Sequence, residues 1–256
     1  MTFELIALLC LVAFIAGFVD SIVGGGGLIQ TPLSITLLPQ IPVATTIGSL
    51  KIPAFSGTAI AVTQYIKKVK IQWYLFILMA IIAFTSAYLG SYFLTLVSND
   101  FIKPVLLILL IAMGLFTFFK KDFGMSKSGE IKKNKLIFYS ILISIIVGLY
   151  DGFIGPGTGT FFMVCFVSFL KMDFLTANTH AKLVNLSTNF GSICLFLLKG
   201  KIIWSIALPM AICNGLGGYI GSKFALKKGN SIIRKFLMLV IFLSIIRFSW
   251  DIYNSL

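Results

Sequence analysis

The sequence predicts an all-α, polytopic membrane protein built from two repeats of about five helical segments each. Of the 256 residues, 58% are hydrophobic and only 11% are charged, and the mean hydropathy is +1.02, far above the range of soluble domains. Apolar runs such as residues 73–97 and 101–119 match the roughly 20 residues that a helix needs to cross a bilayer. Because backbone amides must be satisfied internally in lipid, and because these runs lack the alternation of barrel strands, we expect helices.

An internal duplication defines the organisation of the chain. Shifting the sequence by 131 positions aligns residues 16–115 with the second half without a gap, which indicates a repeat. The aligned pairs include residues that are rare in an apolar chain: Gly17 with Gly148, Asp20 with Asp151, Lys51 with Lys182, and Trp73 with Trp204. We therefore predict a first transmembrane repeat at residues 1–119, a basic cytoplasmic linker at 120–135 and a second repeat at 136–256.

Glycine, proline and charge clusters divide each repeat into five segments. They are predicted at residues 3–22, 27–38, 44–65, 71–97 and 101–119 in the first repeat, and at 136–153, 158–170, 175–197, 202–226 and 232–250 in the second. The second segment of each repeat barely reaches across a bilayer. It is either a re-entrant half-helix or a helix that continues from an unwound stretch at membrane depth, which makes eight full spans plus two short or broken ones.

The basic residues predict how the segments are oriented. Most of the 21 basic residues, which bring the net charge to +13, lie in short loops; this is the positive-inside bias of an inserted protein and argues against a nucleic-acid partner. The six lysines of the linker 120–135 place it in the cytoplasm. If each short segment crosses the membrane, each repeat has five crossings, and the basic residues within 223–235 are cytoplasmic too. Because an odd number of crossings inverts the second repeat, the charges favour inverted-topology repeats. We expect a multi-pass protein in the lipid bilayer of a bacterial inner membrane, with its first helix retained.

The ionisable residues expected at membrane depth are chiefly Asp20, Lys51, Asp151, His180 and Lys182. A charge at the centre of a membrane helix costs about 2.5–3.5 kcal/mol on insertion scales, so such residues usually face a partner or a water-filled cavity. The alternative to a transport role is two structural ion pairs, Asp20 with Lys51 and Asp151 with Lys182. His180 is either a proton acceptor or a hydrogen-bonded core histidine, and we favour the core role.

Each aspartate precedes a glycine-rich stretch that interrupts its helix, at residues 24–27 and 155–159. Paired interruptions at corresponding points of two repeats mark the binding site of many transporters. Beyond each interruption, unpaired amides at the start of the next segment suit the oxygen atoms of an anion. The predicted substrate-binding residues are Lys51, Lys182, Gly25, Gly26, Gly157, Thr158 and Asn185, with Asp20, Asp151 and His180 as coupling or charge-pair residues.

These motifs resemble the sulfite exporter TauE/SafE family, also described as toluene sulfonate uptake permeases. The resemblance covers nearly the whole chain, and its most specific part is the stretch at 152–160 together with residues 181–185. In the first repeat, residues 17–20 and the glycine run that follows fit the same pattern. The resemblance implies a membrane transporter of a small sulfur-containing or organic anion, coupled to an ion gradient.

An intramembrane enzyme is the alternative from another class of function. The chain has one histidine and no HExxH, CxxC or Gly-x-Ser-x-Gly motif, and its four cysteines stand at no metal-ligand spacing. We therefore predict no catalytic residues, no metal site and no cofactor. A passive anion channel would use the same residues as a carrier. The substrate, the direction of transport, the coupling ion and the oligomeric state stay open at this point.

Overall fold

The computed structural model describes residues 2–98, 131–229 and 233. These residues form eight α-helices and no β-strand. The helices are α1 (Phe3–Val23), α2 (Gly26–Leu37), α3 (Val43–Tyr65), α4 (Trp73–Leu96), α5 (Lys133–Phe153), α6 (Thr158–Phe169), α7 (Phe174–Leu198) and α8 (Trp204–Lys228). They correspond to eight of the predicted segments. The predicted segments 101–119 and, apart from residue 233, 232–250 lie outside the described residues, as does the linker up to residue 130.

Local signals explain where the helices begin and end. α1 begins after Thr2, whose hydroxyl accepts a hydrogen bond from an amide of the first turn (3.4 Å). It ends at Gly24, which has the left-handed conformation (φ 81°) that glycine adopts without strain. α6 begins after Gly157, which is also left-handed (φ 79°). α7 begins after Asp173, whose carboxylate accepts two amides of the first turn (3.0 and 3.1 Å).

Four of the described helices, α1, α4, α5 and α7, are long and apolar enough to cross a membrane by length and composition. α3 and α8 are of similar length, with 23 and 25 residues. α2 and α6 have 12 residues each, about half of what a crossing needs. The protein is a multi-pass helical membrane protein.

The two repeats interlock, since the most extensive helix contacts join one repeat to the other. α1 packs against α8, and α4 against α5; α3 packs against α8, and α4 against α7. Each contact has its counterpart when the repeats are exchanged, so the described helices have an approximate two-fold arrangement. Small residues make the contacts close, as in other membrane bundles: a side chain at Gly152 would overlap the backbone of Ala87, and one at Gly217 would overlap Phe14.

α3 and α7 run in opposite directions. Ile47, near the start of α3, packs in one cluster with Phe196, near the end of α7. At the opposite end of the bundle, the hydroxyl of Tyr65, the last residue of α3, lies 3.0 Å from the amide nitrogen of Asn178, near the start of α7. We call the end of the bundle where α1, α3 and α8 begin the first end, and the end where α4, α5 and α7 begin the second end.

α2 and α6 each run back toward the end of the bundle at which the preceding helix begins. Leu37, the last residue of α2, packs in one cluster with Leu5 at the start of α1. The rings of Phe169, the last residue of α6, and Tyr139, near the start of α5, are 5.6 Å apart. α1 with α2 and α5 with α6 therefore form two hairpins that enter the bundle from opposite ends, with their turns inside it.

Candidate functional site

The turns of the two hairpins touch each other inside the bundle. The Thr160 amide donates to the Gly24 carbonyl (3.2 Å), and the Thr160 hydroxyl donates to the Val23 carbonyl (2.9 Å). Beside this contact, a side chain at Gly27 would press against Pro156. The glycines thus allow two interrupted helices to meet backbone to backbone, which larger residues would prevent.

A cavity of about 60 Å³ lies at this meeting point. One water molecule needs roughly 10–15 Å³ on the same measure, so the cavity holds a few waters or a small anion. Its charged lining residues are Asp20, Lys51 and Asp151, and its amide-bearing ones are Gln30, Asn185, Asn189 and Asn214. Both repeats contribute, so neither repeat alone forms the cavity.

Each lysine pairs with the aspartate of the other repeat. Lys51 Nζ lies 3.0 Å from Asp151 Oδ1 and donates to the Asp151 carbonyl oxygen (2.7 Å). Lys182 Nζ lies 3.6 Å from Asp20 Oδ2 and also donates to the Asp20 carbonyl oxygen. The pairing within each repeat that the sequence suggested is therefore wrong. α3 and α7 each bring their lysine to the helix end of the other repeat, where the negative end of the helix dipole attracts a cation.

The two ion pairs differ in burial. The side chains of Lys51 and Asp151 are 5% and 3% exposed. Lys182 is 1% exposed, whereas Asp20 is 21% exposed. Taking an ion pair out of water is unfavourable unless further hydrogen bonds satisfy both groups. The hydrogen bonds around each aspartate therefore decide how far its negative charge is stabilised.

The hydrogen bonds of the two aspartates differ as well. Asp20 Oδ1 accepts from the Gly26 amide (3.3 Å), and its Oδ2 accepts from the Thr58 hydroxyl (3.5 Å) and faces its lysine. Asp151 Oδ1 faces its lysine and lies 2.7 Å from the Thr158 hydroxyl. Asp151 Oδ2 is buried without a hydrogen-bond partner among the described residues. A buried acceptor in this condition is unusual in a folded protein.

Uncharged amides complete the polar lining. Asn214 Nδ2 donates to Gln30 Oε1 (2.8 Å) and joins α8 to α2, while Asn189 Nδ2 donates to Asn185 Oδ1 (3.4 Å) within α7. Amides offer donors to an oxyanion without adding charge. Gln30 and Asn214 were not predicted; the signal that could have found them is a lone amide inside an apolar segment.

Most of the residues predicted to bind substrate line this cavity. They are Lys51, Gly26, Gly157, Thr158 and Asn185, together with both aspartates. Gly25 and Lys182 are not among the lining residues in the described part of the chain. Lys182 instead forms an ion pair with Asp20, which does line the cavity.

The amides that open the short helices are partly occupied. The Gly26 amide donates to Asp20 Oδ1 (3.3 Å), and the Thr158 amide donates to the Gly155 carbonyl (3.2 Å). The prediction that these two amides are unpaired is therefore wrong. An anion in the cavity would meet side-chain donors before it met these backbone donors.

His180 lies outside the cavity lining. Its Nδ1 is 2.9 Å from the Thr176 carbonyl oxygen, and its Nε2 accepts from the Gln72 amide (3.3 Å). Because a carbonyl only accepts, the ring carries its hydrogen on Nδ1. His180 is thus a buried, hydrogen-bonded histidine that ties α7 to the start of α4, in agreement with the favoured core role.

Side chains also satisfy the last carbonyl groups of α1. The Tyr65 hydroxyl donates to the Ser21 carbonyl (2.8 Å), and the Asn178 amide donates to the Ile22 carbonyl (3.0 Å) and to the Tyr65 oxygen (3.0 Å). Helix ends leave such carbonyls without partners, and lipid supplies none. This hydrogen-bonded cap lets α1 stop inside the bundle.

Comparisons with known proteins agree with the motifs. A family profile described as "Sulfite exporter TauE/SafE" matches residues 9–248. "Probable membrane transporter protein ORF9" of Sinorhizobium is 36% identical over 94% of this chain and 90% of that protein. "Probable membrane transporter protein" of Haemophilus influenzae is 32% identical over 97% and 96%, and "Probable membrane transporter protein YfcA" of Escherichia coli K12 is 31% identical over 92% and 86%. No solved structure matches. The chain belongs to the sulfite exporter TauE/SafE family.

Proposed function

We propose that this protein is a secondary transporter that carries a small anion, such as sulfite or an organosulfonate, across the plasma membrane by alternating access. The observation that carries the proposal is the polar cavity between two interrupted helices, with two lysines each held by the aspartate of the other repeat. Interrupted helices at a repeat interface are the usual site of substrate in such transporters. The names of the relatives support a transporter, and the name of the family supports the class of anion.

The lysine distribution supports inverted repeats. Nine lysines, within residues 67–70, 132–135 and 223–228, lie in loops and helix termini at the second end, against Lys199 and Lys201 at the first end. By the positive-inside rule the second end faces the cytoplasm. The two hairpins would then enter from opposite sides of the bilayer and meet near its middle.

Apolar packing lies on both sides of the cavity. At the first end, Ile47, which lines the cavity, packs with the fully buried Phe196. Toward the second end, a larger apolar cluster includes the fully buried Tyr65, Phe162 and Phe166. Alternating access would require the two clusters to loosen in turn.

Within the site, Lys51 supplies the charge that attracts the anion. Its ammonium group lies at the cavity wall, and its partner Asp151 is the group with which an anion would compete. Asn185 and Asn189 can add neutral hydrogen bonds. Lys182 has a supporting role, because it holds Asp20 and the end of α1 in place.

The test is counterflow of labelled sulfite and of an organosulfonate in proteoliposomes, with Lys51→Gln beside the parent protein. The matched control is Lys68→Gln, which removes the same charge from an exposed loop. A lost charge-assisted hydrogen bond is worth about 1.5–3 kcal/mol, so we expect counterflow by Lys51→Gln at subsaturating anion to fall at least about tenfold. Lys68→Gln should behave as the parent.

The same experiment separates the alternatives. Saturable uptake that is accelerated by unlabelled anion inside the vesicles indicates a carrier, whereas flux without counterflow indicates a channel. Equal counterflow in Lys51→Gln and the parent would show that Lys51 does not bind the anion. No flux of any tested anion through the folded parent would contradict the proposal.

A further inference from the structure

Three buried hydroxyl groups on the helices around the cavity have no hydrogen-bond partner among the described residues. They belong to Ser34 on α2, Thr46 on α3 and Ser192 on α7, which are 0%, 1% and 0% exposed. Other hydroxyls of these helices donate to a carbonyl one turn back, as Ser49 does (2.8 Å). Folded proteins contain few buried polar groups without a partner, because each one lowers stability. Packing alone therefore does not explain these three side chains.

Each of these hydroxyls continues the polar lining of the cavity on its own helix. Residues three or four apart share one face of a helix, and each hydroxyl is this far from residues that line the cavity. Those lining residues are Gln30 and Thr31 on α2, Leu50 on α3 and Asn189 on α7. α2 and α7 end at the first end of the bundle and α3 begins there, so all three hydroxyls lie on the first-end side of the cavity.

The three helices converge beside these hydroxyls. Ile35 of α2, Ile47 of α3 and Phe196 of α7 pack in one apolar cluster at the first end. The two isoleucines adjoin the hydroxyl residue of their helix in sequence, and the phenylalanine lies one turn beyond that of α7. The hydroxyls therefore lie at the boundary between the cavity and this apolar cluster.

The equivalent positions on the other side of the cavity are less polar. In the other repeat they carry Cys165, Ala177 and Ala61. Both alanines are fully buried in the apolar cluster toward the second end, and Cys165 packs against that cluster. The three hydroxyls are thus a feature of the first-end side and not of the duplicated helices in general.

We propose that the anion passes between the cavity and the first end along the hydroxyls of Ser34, Thr46 and Ser192, which donate hydrogen bonds to its oxygen atoms. The proposal deepens the proposed function and rests on it. The apolar cluster at the first end closes this route in the present conformation. When the cluster loosens, the hydroxyls gain a partner. Neutral donors hold an oxyanion less strongly than a charged group does, so the anion can move on to Lys51 or leave.

Cysteine accessibility tests the route without any measurement of transport. The four natural cysteines are replaced by alanine, and Ser34→Cys, Thr46→Cys or Ser192→Cys is introduced singly. The matched controls are single cysteines at the equivalent positions 165, 177 and 61. The probe is sulfonatoethyl methanethiosulfonate, an anionic thiol reagent that does not cross the membrane, added to intact cells.

A thiol reacts with such a reagent only where the reagent can reach its thiolate. We expect labelling at the three first-end positions and none at the three controls, since the first end faces outward in the proposed topology. No labelling at the first-end positions, or equal labelling at the controls, would overturn the proposal. Counterflow of the parent would still decide the proposed function separately.

Removal of the hydroxyls gives a second test. The combined variant is Ser34→Ala, Thr46→Val and Ser192→Ala, and the matched control is Ser140→Ala, a buried serine whose hydroxyl donates to the Leu136 carbonyl (2.7 Å). Counterflow of a labelled organosulfonate in proteoliposomes should fall at least about fivefold in the combined variant, the value of one hydrogen bond. It should stay that of the parent in Ser140→Ala.

The melting temperature in detergent separates this role from a structural one. Because the three hydroxyls make no hydrogen bond in the described structure, the combined variant should melt no lower than the parent. A lower melting temperature with unchanged counterflow would overturn the proposal and make the hydroxyls structural.

Discussion

The two aspartates of the site occupy the same position in the two repeats but have different surroundings. Asp20 is partly exposed to the cavity, and both of its oxygens have donors. Asp151 is buried, and one of its oxygens has no donor among the described residues. Thr158 takes the place that Gly27 has in the first repeat, so the start of α6 offers Asp151 a hydroxyl that the start of α2 does not offer Asp20. The duplication supplied a symmetric set of charges, and divergence gave the two acids different surroundings.

The ends of the two interrupted helices differ in the same way. Tyr65 and Asn178 cap α1 with hydrogen bonds, whereas the equivalent positions are Phe196 and Ile47. These two lie in the apolar cluster at the first end, together with Ile154 at the end of α5. The end of α5 also has directed bonds, because the Ser91 hydroxyl of α4 donates to the Gly152 carbonyl (3.0 Å). The two hairpins therefore differ in which side chains hold their helix ends.

The largest effect should come from neutralising the two acids separately. Asp20→Asn leaves the fully buried Lys182 without a counter-charge, which typically costs about 3–5 kcal/mol. Asp151→Asn likewise leaves the buried Lys51 without its counter-charge, so it should cost at least as much. Unfolding of both variants in detergent, followed by loss of the monodisperse species on heating, measures the two losses of stability. A loss below about 1 kcal/mol in either variant, the value of an exposed ion pair, would argue against that buried pair.

The contact between the hairpin turns can be tested at Gly24. Gly24→Ala introduces a side chain at φ 81°, where it would overlap the backbone of Gly159. Gly200→Ala is the matched control, because φ is 62° there and no atom lies within 4 Å of the added carbon. Both changes carry the penalty of about 1–2 kcal/mol for a left-handed residue, and Gly24→Ala should add about 1–3 kcal/mol from overpacking. Similar unfolding midpoints for the two variants would argue against contact between the turns.

Tyr65→Phe makes the first repeat resemble the second at its helix cap. The change removes a donor to the Ser21 carbonyl and an acceptor for Asn178, and an unsatisfied buried group costs about 1–3 kcal/mol. Hydrogen exchange should therefore become faster in the last turn of α1 and stay unchanged in the last turn of α5. Uniform exchange in both turns would show that the cap does not distinguish the hairpins.

The smallest effect on transport is expected from His180→Asn. His180 contacts Thr176 and Gln72 outside the cavity, so its loss should cost about 1 kcal/mol of stability. The dependence of anion uptake on pH should stay that of the parent. A changed pH profile of uptake in proteoliposomes would indicate that His180 takes part in ion coupling.

The sequence predicted the helices and the charged residues but not which of them are in contact. Long apolar runs and the duplication located the eight described helices, and the position of Asp20 and Asp151 inside apolar segments led to residues that line the cavity. The spacing of residues along the chain could not say which aspartate each lysine reaches, because that depends on the opposite directions of α3 and α7. Likewise, Gln30 and Asn214 are joined by a hydrogen bond across 184 positions, which no local pattern encodes.

Equilibrium binding of a labelled monovalent organosulfonate to the purified protein decides whether one shared anion site lies between the crossed ion pairs. We expect one saturable site per chain, with affinity reduced at least about tenfold by Lys51→Gln and unchanged by Lys68→Gln. Two independent sites per chain, or affinity that Lys51→Gln leaves unaltered, would contradict it.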